Sequence, residues 1–385
     1  MNDQLSQTED QEIIQSEAKP PAASARIMSV DVLRGFDMFW LVGGAGVALG
    51  IGKLIDPKVH AFIDRQLSHA DWEGFYFYDL IFPLFVFLAG MSLSFSMGRT
   101  LNEKGLGATL IRLTRRCLLM FLLGVIYNGG FTNVWPEVRI MGVLQRIALS
   151  SLFAGVLFCF FDWRGLAASL AALLLGYWAL LSFVPLPGQD SISWAVEQNW
   201  AVWLDAQILP GRLIYKIYDP EGILSTIPAI GTCIIGILTG LFLKRKEVEP
   251  LRKGLIFIGA GLVLVAAGYL WSYQCPIIKK IWTPSYVLVA GGWSILLLAL
   301  FYFLVDFWQI RWWTAPFLWI GVNPLTVYMA RNIIGFNDLA KRFVGGSIYA
   351  FLGENLGYFV QCSVSLGIAL LFVWYLNKKK IYLRL

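Results

Sequence analysis

The chain encodes an all-α, polytopic integral membrane protein with about ten transmembrane helices. Of its 385 residues, 57% are hydrophobic and only 15% charged, against roughly 25% charged in a soluble domain. Apolar segments begin near residues 31, 77, 111, 141, 166, 223, 254, 284, 313 and 356. Each can cross a hydrocarbon core of about 30 Å as a helix of roughly 20 residues. After residue 29 no polar stretch is long enough to bury a soluble core. Two regions follow: a disordered cytoplasmic tail over 1–28, acidic and lacking the basic n-region of a signal peptide, and one transmembrane domain over 29–385.

The first span opens on Ser29-Val-Asp31-Val-Leu-Arg34-Gly35. Ser29 suits an N-cap, Asp31 suits the positive end of the helix, and Asp31 and Arg34 at i, i+3 share a face. The second follows an acidic, aromatic loop and carries Asp79 at its start, and the third opens on Arg112, Arg115 and Arg116. Arg34, Arg146 in LQRIA and Arg331 in YMARN fall at or within spans, so each needs a partner or a water-filled cavity. Pro83 and Pro228 predict kinks, whereas Pro316 and Pro324 bracket Gly321-Val-Asn323 and predict an interrupted helix whose free backbone groups line a cavity. Gly46 with Gly50, and Gly236 with Gly240, have the small-xxx-small spacing of close helix packing.

Basic residues gather in alternate loops, at Arg99, Lys104, Arg112, Arg115 and Arg116, at Lys244, Arg245, Lys246, Arg252 and Lys253, and at Lys378, Lys379, Lys380 and Arg384. Lys and Arg accumulate on the cytoplasmic side, so both termini are expected inside. The net charge of +6 is thereby topological, and no nucleic-acid partner is expected. Four of the five cysteines, Cys117, Cys159, Cys233 and Cys362, lie in apolar runs and Cys275 in a loop, which yields no disulfide framework. There is no His/Cys cluster with metal spacing and no nucleotide-binding glycine pattern, so no metal is expected. The orientation gathers the His69 loop, the 128–139 loop and the 186–222 segment on the outer face. The last holds Trp194, Trp200, Trp203, Asp205, Tyr215, Tyr218, Asp219 and Glu221, which fits an interfacial aromatic belt and a carbohydrate-binding wall equally.

The chemistry concentrates in HADWEGFYFYDLIFPLFVFLAGMSLSFSM, residues 69–97. One of only two histidines and a carboxylate, Asp79, lie ten residues apart at the membrane surface. An ionisable group inside a bilayer costs about 2.5 to 3.5 kcal/mol on insertion scales and is a functional-site hypothesis by default. On one straight helix the two would stand about 15 Å apart at 1.5 Å per residue, so contact requires the chain between them to fold back.

Three stretches together, SVDVLRGFDMFW at 29–40, HADWEGFYFYDLIFPLFVFLAGMSLS at 69–94 and RIMGVLQRIAL at 139–149, resemble the heparan-α-glucosaminide N-acetyltransferase family, in particular its short bacterial members. The resemblance covers most of the chain from residue 29, with its specific motifs in the first 150 residues. It implies acetyl transfer from cytosolic acetyl-CoA to the amine of a glucosamine-type sugar across the membrane. The family's catalytic histidine, in H-x-x-W-x-G, corresponds to His69-Ala-Asp-Trp72-Glu-Gly74, and the acid of its DLVFP stretch to Asp79 in DLIFP. A neutral imidazole suits proton removal from an attacking amine, and Asp79 would orient it. Arg34, Arg112, Arg115, Arg116 and Arg146 are the candidates for the CoA phosphates, and Trp72, Glu73, Asn133, Trp135 and Asn323 for the sugar. A proton-coupled amino-sugar permease is the competing expectation, separated from the first by whether the protein binds CoA. The acceptor is left open among free glucosamine, a glucosamine-containing disaccharide and a de-acetylated cell-wall fragment, and a homodimer is also left open. The absence of any N-x-Ser/Thr triplet favours a bacterial inner membrane over a glycosylated lysosomal one.

Overall fold

The computed structural model of the chain describes residues 27–132 and 134–383. All regular elements among them are helices, with two isolated β-bridges between loops. The tail expected over 1–28 lies outside the described residues as far as 26, and the first helix has begun by Met28.

The chain forms α1 (Met28–Phe39), continued through a π turn at Trp40–Gly44 into α2 (Ala45–Ile55), then α3 (Pro57–Leu67) and α4 (Phe77–Tyr127). There follow α5 (Val143–Phe160), α6 (Trp163–Phe183), the short α7 (Trp200–Ile208), α8 (Thr226–Leu243), α9 (Pro250–Trp271) and α10 (Pro284–Phe301). The last group is α11 (Ala315–Gly321), α12 (Pro324–Ile334), α13 (Phe336–Val344), α14 (Ser347–Leu352) and α15 (Glu354–Lys378). Among the described residues, eight helical stretches are long and apolar enough to cross a membrane.

Two features reconcile those eight with ten crossings. The 51 residues of α4 would run about 77 Å if straight, more than twice a bilayer core. Gly105, with φ 78°, turns the chain back, and Arg112 Nη1 donates to Thr100 Oγ1 across that turn at 2.7 Å. The halves 77–104 and 106–127 are therefore separate crossings. The tenth is in two pieces: α11 stops at Gly321 and α12 restarts at Pro324, the interruption that the two prolines predicted. Asn332, near the end of α12, donates to the carbonyl of Tyr127 at the end of α4, so the two pieces reach the same face as α4.

The first half of α4, α8 and α10 are buried on most sides and make the centre of the bundle, with α6, α9 and α15 around them. Close packing follows the predicted glycines. A Cβ on Gly236 would lie 2.0 Å from the Phe87 carbonyl oxygen, and one on Gly240 2.2 Å from Ser94 Oγ, so α8 lies almost backbone to backbone on α4. The same holds where α1 meets α11: a Cβ on Gly35 would fall 1.8 Å from the Phe317 carbonyl oxygen. That contact sets the position of the broken crossing, and the space left beside it is the cavity.

Candidate functional site

A cavity of about 650 Å³ runs through the bundle, walled by α1, both halves of α4, α5 and the broken α11–α12 crossing. Along α4 its lining extends from Tyr78 to Ser92, about 21 Å of helix. Arg34, Ser92, Arg116 and Leu383 line it at one end; His69, Arg139, Tyr215, Glu221, Lys279 and Lys280 line it at the other. Phe82, Phe85, Leu88 and Ile147 keep the middle apolar.

The His69 end is built on the start of α4. Asp79 is the third residue of the helix, and its Oδ2 accepts the backbone N–H of Tyr76 at 3.0 Å and of Ala70 at 3.3 Å. Those two bonds cap the helix and fold residues 70–76 back over it. The loop is also tied to the segment before α10, where Gly74 N–H donates to the Ile277 carbonyl at 2.9 Å and Glu73 bridges to Ile278. His69 is thereby brought to 2.9 Å from Asp79, Nδ1 to Oδ1. Asp79 is fully buried while about half of the His69 side chain is open, 49%. Tyr286 OH donates to the Asp79 carbonyl at 2.8 Å and anchors the same turn to α10.

Two lysines join this pair. Lys279 Nζ lies 2.9 Å from His69 Nδ1 and 3.3 Å from Asp79 Oδ1. Burial lowers the Lys279 pKa, against the opposing pull of Asp79. Lys280 donates to the Asp71 carbonyl and stands over the Tyr215 ring at 4.8 Å. The sequence analysis missed both lysines, although a Lys-Lys pair in a loop apart from the three basic clusters was a signal for them.

Beside the lysines, Arg139 makes two parallel 2.7 Å bonds to Asp219 and one of 2.5 Å to Glu221. Burial lifts the Glu221 carboxyl above the usual range, with Arg139 opposing and Asp219 adding to the rise. Asp219 is pushed the same way by burial, yet its bonds to Arg139 outweigh that and hold it below the usual range. Next to this cluster Arg146 is fully buried. It donates to the Gly222 carbonyl at 3.1 Å and to Ser225 Oγ, and its guanidinium lies 4.8 Å from the centre of the Trp282 ring.

Asp205, in α7, is raised to about 7 by burial, although the Ile223 N–H and Arg146 resist. A folded-state pKa above the unfolded value, about 3.9, means that the contribution of this carboxyl to stability is complete below about pH 4 and is lost as pH rises through 7. The thermal midpoint of the detergent-solubilised protein is expected to fall over that window. Asp205→Asn, which keeps an acceptor for the 3.0 Å bond from Ile223 N–H, should flatten the fall; an unchanged pH profile in that variant would assign it to other groups.

The site residues suggested by sequence divide sharply. His69, Arg34 and Arg116 line the cavity, and Asp79 lies behind His69. Arg34 donates to Asp31 at 2.8 Å and to Ser92 at 2.9 Å, the predicted i, i+3 pair. Arg112 and Arg115 face away from the cavity and are exposed, because only Arg116 of the three falls on the inward stripe of its helix. Arg146 serves the packing behind the wall. Arg331, the third arginine placed in a span, lines the cavity.

Among the sugar candidates, Trp72 uses its Nε1 on the Trp194 carbonyl at 2.8 Å and packs edge-on against Tyr218, while Glu73 and Trp135 are exposed on loops. Asn133 lies outside the described residues. Asn323 is at the other end: it is buried at the break and donates to the Ile381 carbonyl at 3.0 Å, far along the bundle from His69. Of the eight aromatic and acidic residues singled out in the 186–222 segment, Tyr215 and Glu221 reach the cavity, whereas Trp200 is held by the Val184 carbonyl.

A family profile described as "Heparan-alpha-glucosaminide N-acetyltransferase, catalytic" matches residues 26–265. Two curated relatives carry the name heparan-alpha-glucosaminide N-acetyltransferase. The human protein is 27% identical over 381 residues, covering 82% of this chain and 53% of its own length. The mouse protein is 26% identical over 424 residues, covering 94% of this chain and 61% of its own length. The chain thus spans between about half and three fifths of the relatives it matches.

Proposed function

Because the chain belongs to the heparan-alpha-glucosaminide N-acetyltransferase family, we propose that it is a transmembrane N-acetyltransferase that moves an acetyl group from cytosolic acetyl-CoA to the amine of a glucosamine-type sugar on the outer face. The observation that carries this reading is the single cavity with arginines at one end and the His69–Asp79 pair at the other. The proton-coupled permease finds no comparable support, since the relatives are named for acetyl transfer. The reading includes an inner bacterial membrane, with both chain ends on the cytoplasmic side.

Arg116 is suited to the CoA phosphates: it lines the inner end, and its Nε is buried without a hydrogen-bond partner. A guanidinium is the side chain best matched to phosphate oxygens. The apolar middle suits the arm that joins the phosphates to the thioester. At the outer end, Nδ1 of His69 is engaged by Asp79, which leaves Nε2 to take a proton from the acceptor. The amine nitrogen bonds to the acetyl carbon, its proton passes to Nε2, the carbon–sulfur bond breaks, and the departing thiolate takes that proton back. Bound in one cavity, amine and thioester react without the entropic cost of a bimolecular encounter.

The test uses sealed inside-out membrane vesicles loaded with glucosamine and given labelled acetyl-CoA outside. N-acetylglucosamine is expected inside the vesicles; no acetyl-CoA binding or consumption, with glucosamine or with a glucosamine-containing oligosaccharide, would overturn the reading. In the same preparation Arg116→Met should weaken acetyl-CoA binding by about tenfold to a hundredfold, the worth of one charge-assisted contact. Arg112→Ala with Arg115→Ala should leave affinity unchanged. The reverse pattern, measured by equilibrium binding, would move the phosphate site onto the exposed face.

A further inference from the structure

With His69 as the base, Lys279 is left without a role. Its side chain is 15% exposed, and it touches both members of the pair. Asp79 divides its oxygens, with Oδ2 taken by the Ala70 and Tyr76 amides and Oδ1 alone meeting the imidazole and the ammonium. Nδ1 cannot serve both neighbours at once, because a ring nitrogen carries either a proton or a lone pair. If Lys279 donates to Nδ1, the imidazole proton is on Nε2 and the base is lost. If Nδ1–H donates to Asp79, Nε2 keeps its lone pair, and Lys279 is left to donate to Oδ1. A fully buried carboxylate with the imidazole as its only partner carries a different cost: it would favour the imidazolium, with Nε2 already protonated.

We propose that Lys279 is a positioning residue that shares Oδ1 of Asp79 with His69, so that the carboxylate orients the imidazole through Nδ1–H without drawing a proton onto Nε2. This rests on the reading of His69 as a base. The other groups around the ring do not replace it. Tyr78, on α4, lies beside the ring with centroids 5.1 Å apart and offers no charge at neutral pH. Lys280 is occupied by the Asp71 carbonyl and the Tyr215 ring, Asp71 belongs to the loop of His69 itself, and Glu221 is paired with Arg139. Among the described residues Lys279 is the cation in contact with Nδ1.

The test follows His69 in the full-length protein with labelled histidine, using nitrogen and carbon NMR of the side chain with His60 as internal reference, together with the pH dependence of kcat/KM for acetyl transfer to glucosamine. In the wild type the neutral imidazole of His69 should carry its proton on Nδ1. Lys279→Met should raise both the His69 titration midpoint and the acid limb of kcat/KM by about one pH unit or more, the size of a contact charge effect, with activity recovering at higher pH. Lys279→Arg should restore both toward the wild type, and Lys279→Gln should act as Met does. A resting Nε2–H form, or an activity loss equal at every pH with an unmoved His69 midpoint, would overturn the inference. If His69→Ala keeps wild-type turnover, the base reading itself fails; if His69→Ala is inactive and Lys279→Met leaves the midpoint in place, only the role of Lys279 fails.

Discussion

His69→Ala is expected to bind acetyl-CoA as the wild type does and to lose about 10²- to 10⁴-fold in turnover, the range for removing a general base. Binding survives because Arg34 and Arg116 are separated from His69 by the length of the cavity. Turnover falls because Nε2 of His69 is the ring nitrogen left free once Asp79 has engaged Nδ1. Asp79→Asn should lose less: an amide oxygen can still accept from Nδ1, but it stabilises an imidazolium poorly, and an Asn turned to keep the amide bonds at Oδ2 presents its NH₂ to the ring. Bisubstrate kinetics identify the route. Intersecting lines are expected for direct attack of the amine in a ternary complex, and His69→Ala with wild-type turnover would remove the imidazole from the chemistry. Parallel lines with an isolable acetylated enzyme formed before acceptor arrives would instead make His69 the nucleophile.

The membrane architecture was legible because the bilayer imposes a length and a polarity on every crossing. Segment starts read near residues 77, 284 and 313 lie within two residues of Phe77, Pro284 and Ala315. The broken crossing was legible for a similarly local reason, since Pro316 and Pro324 cannot both continue one helix across Gly321-Val-Asn323. The fold-back of the His69 loop was only half legible. That 69 and 79 must approach followed from their chemistry, but the agent of the approach, an Asp79 that caps its own helix with one oxygen and holds His69 with the other, is a tertiary arrangement that no local pattern encodes. Long-range partners were the least legible. Nothing local links Arg139 to Asp219, 80 residues away, or Lys279 to His69, 210 residues away. The separation of Arg116 from Arg112 and Arg115 depended on the rotation of one helix relative to a cavity that periodicity alone cannot locate.

Arg139→Met should cost about 3 to 5 kcal/mol of stability at pH 8, the usual loss when one partner of a buried ion pair is removed. Arg139 is the shared cation of two buried carboxylates, with Asp219 1% and Glu221 11% exposed at their side chains, and it bonds both. The bridge from Arg139 to Gly211 and the hydrogen bond from Arg212 N–H to the Val138 carbonyl depend on the same approach of the two loops. Without the guanidinium, two like charges remain in a site that hydrates neither, so at least one carboxyl takes a proton in the folded state. Its folded-state pKa then lies above the unfolded values of about 3.9 and 4.3, and the sign follows from linkage. The variant is closest to the wild type below about pH 4 and loses stability as pH rises through the raised value. Adding Asp219→Asn and Glu221→Gln to Arg139→Met removes the stranded charges and should recover most of the loss, because it is the unpaired carboxylates, more than the missing bonds, that destabilise the fold. Thermal denaturation in detergent at pH 5 and pH 8 separates these terms. An Arg139→Met protein that melts with the wild type at pH 8, or a triple variant no more stable than the single, would show that the two loops do not depend on this cluster.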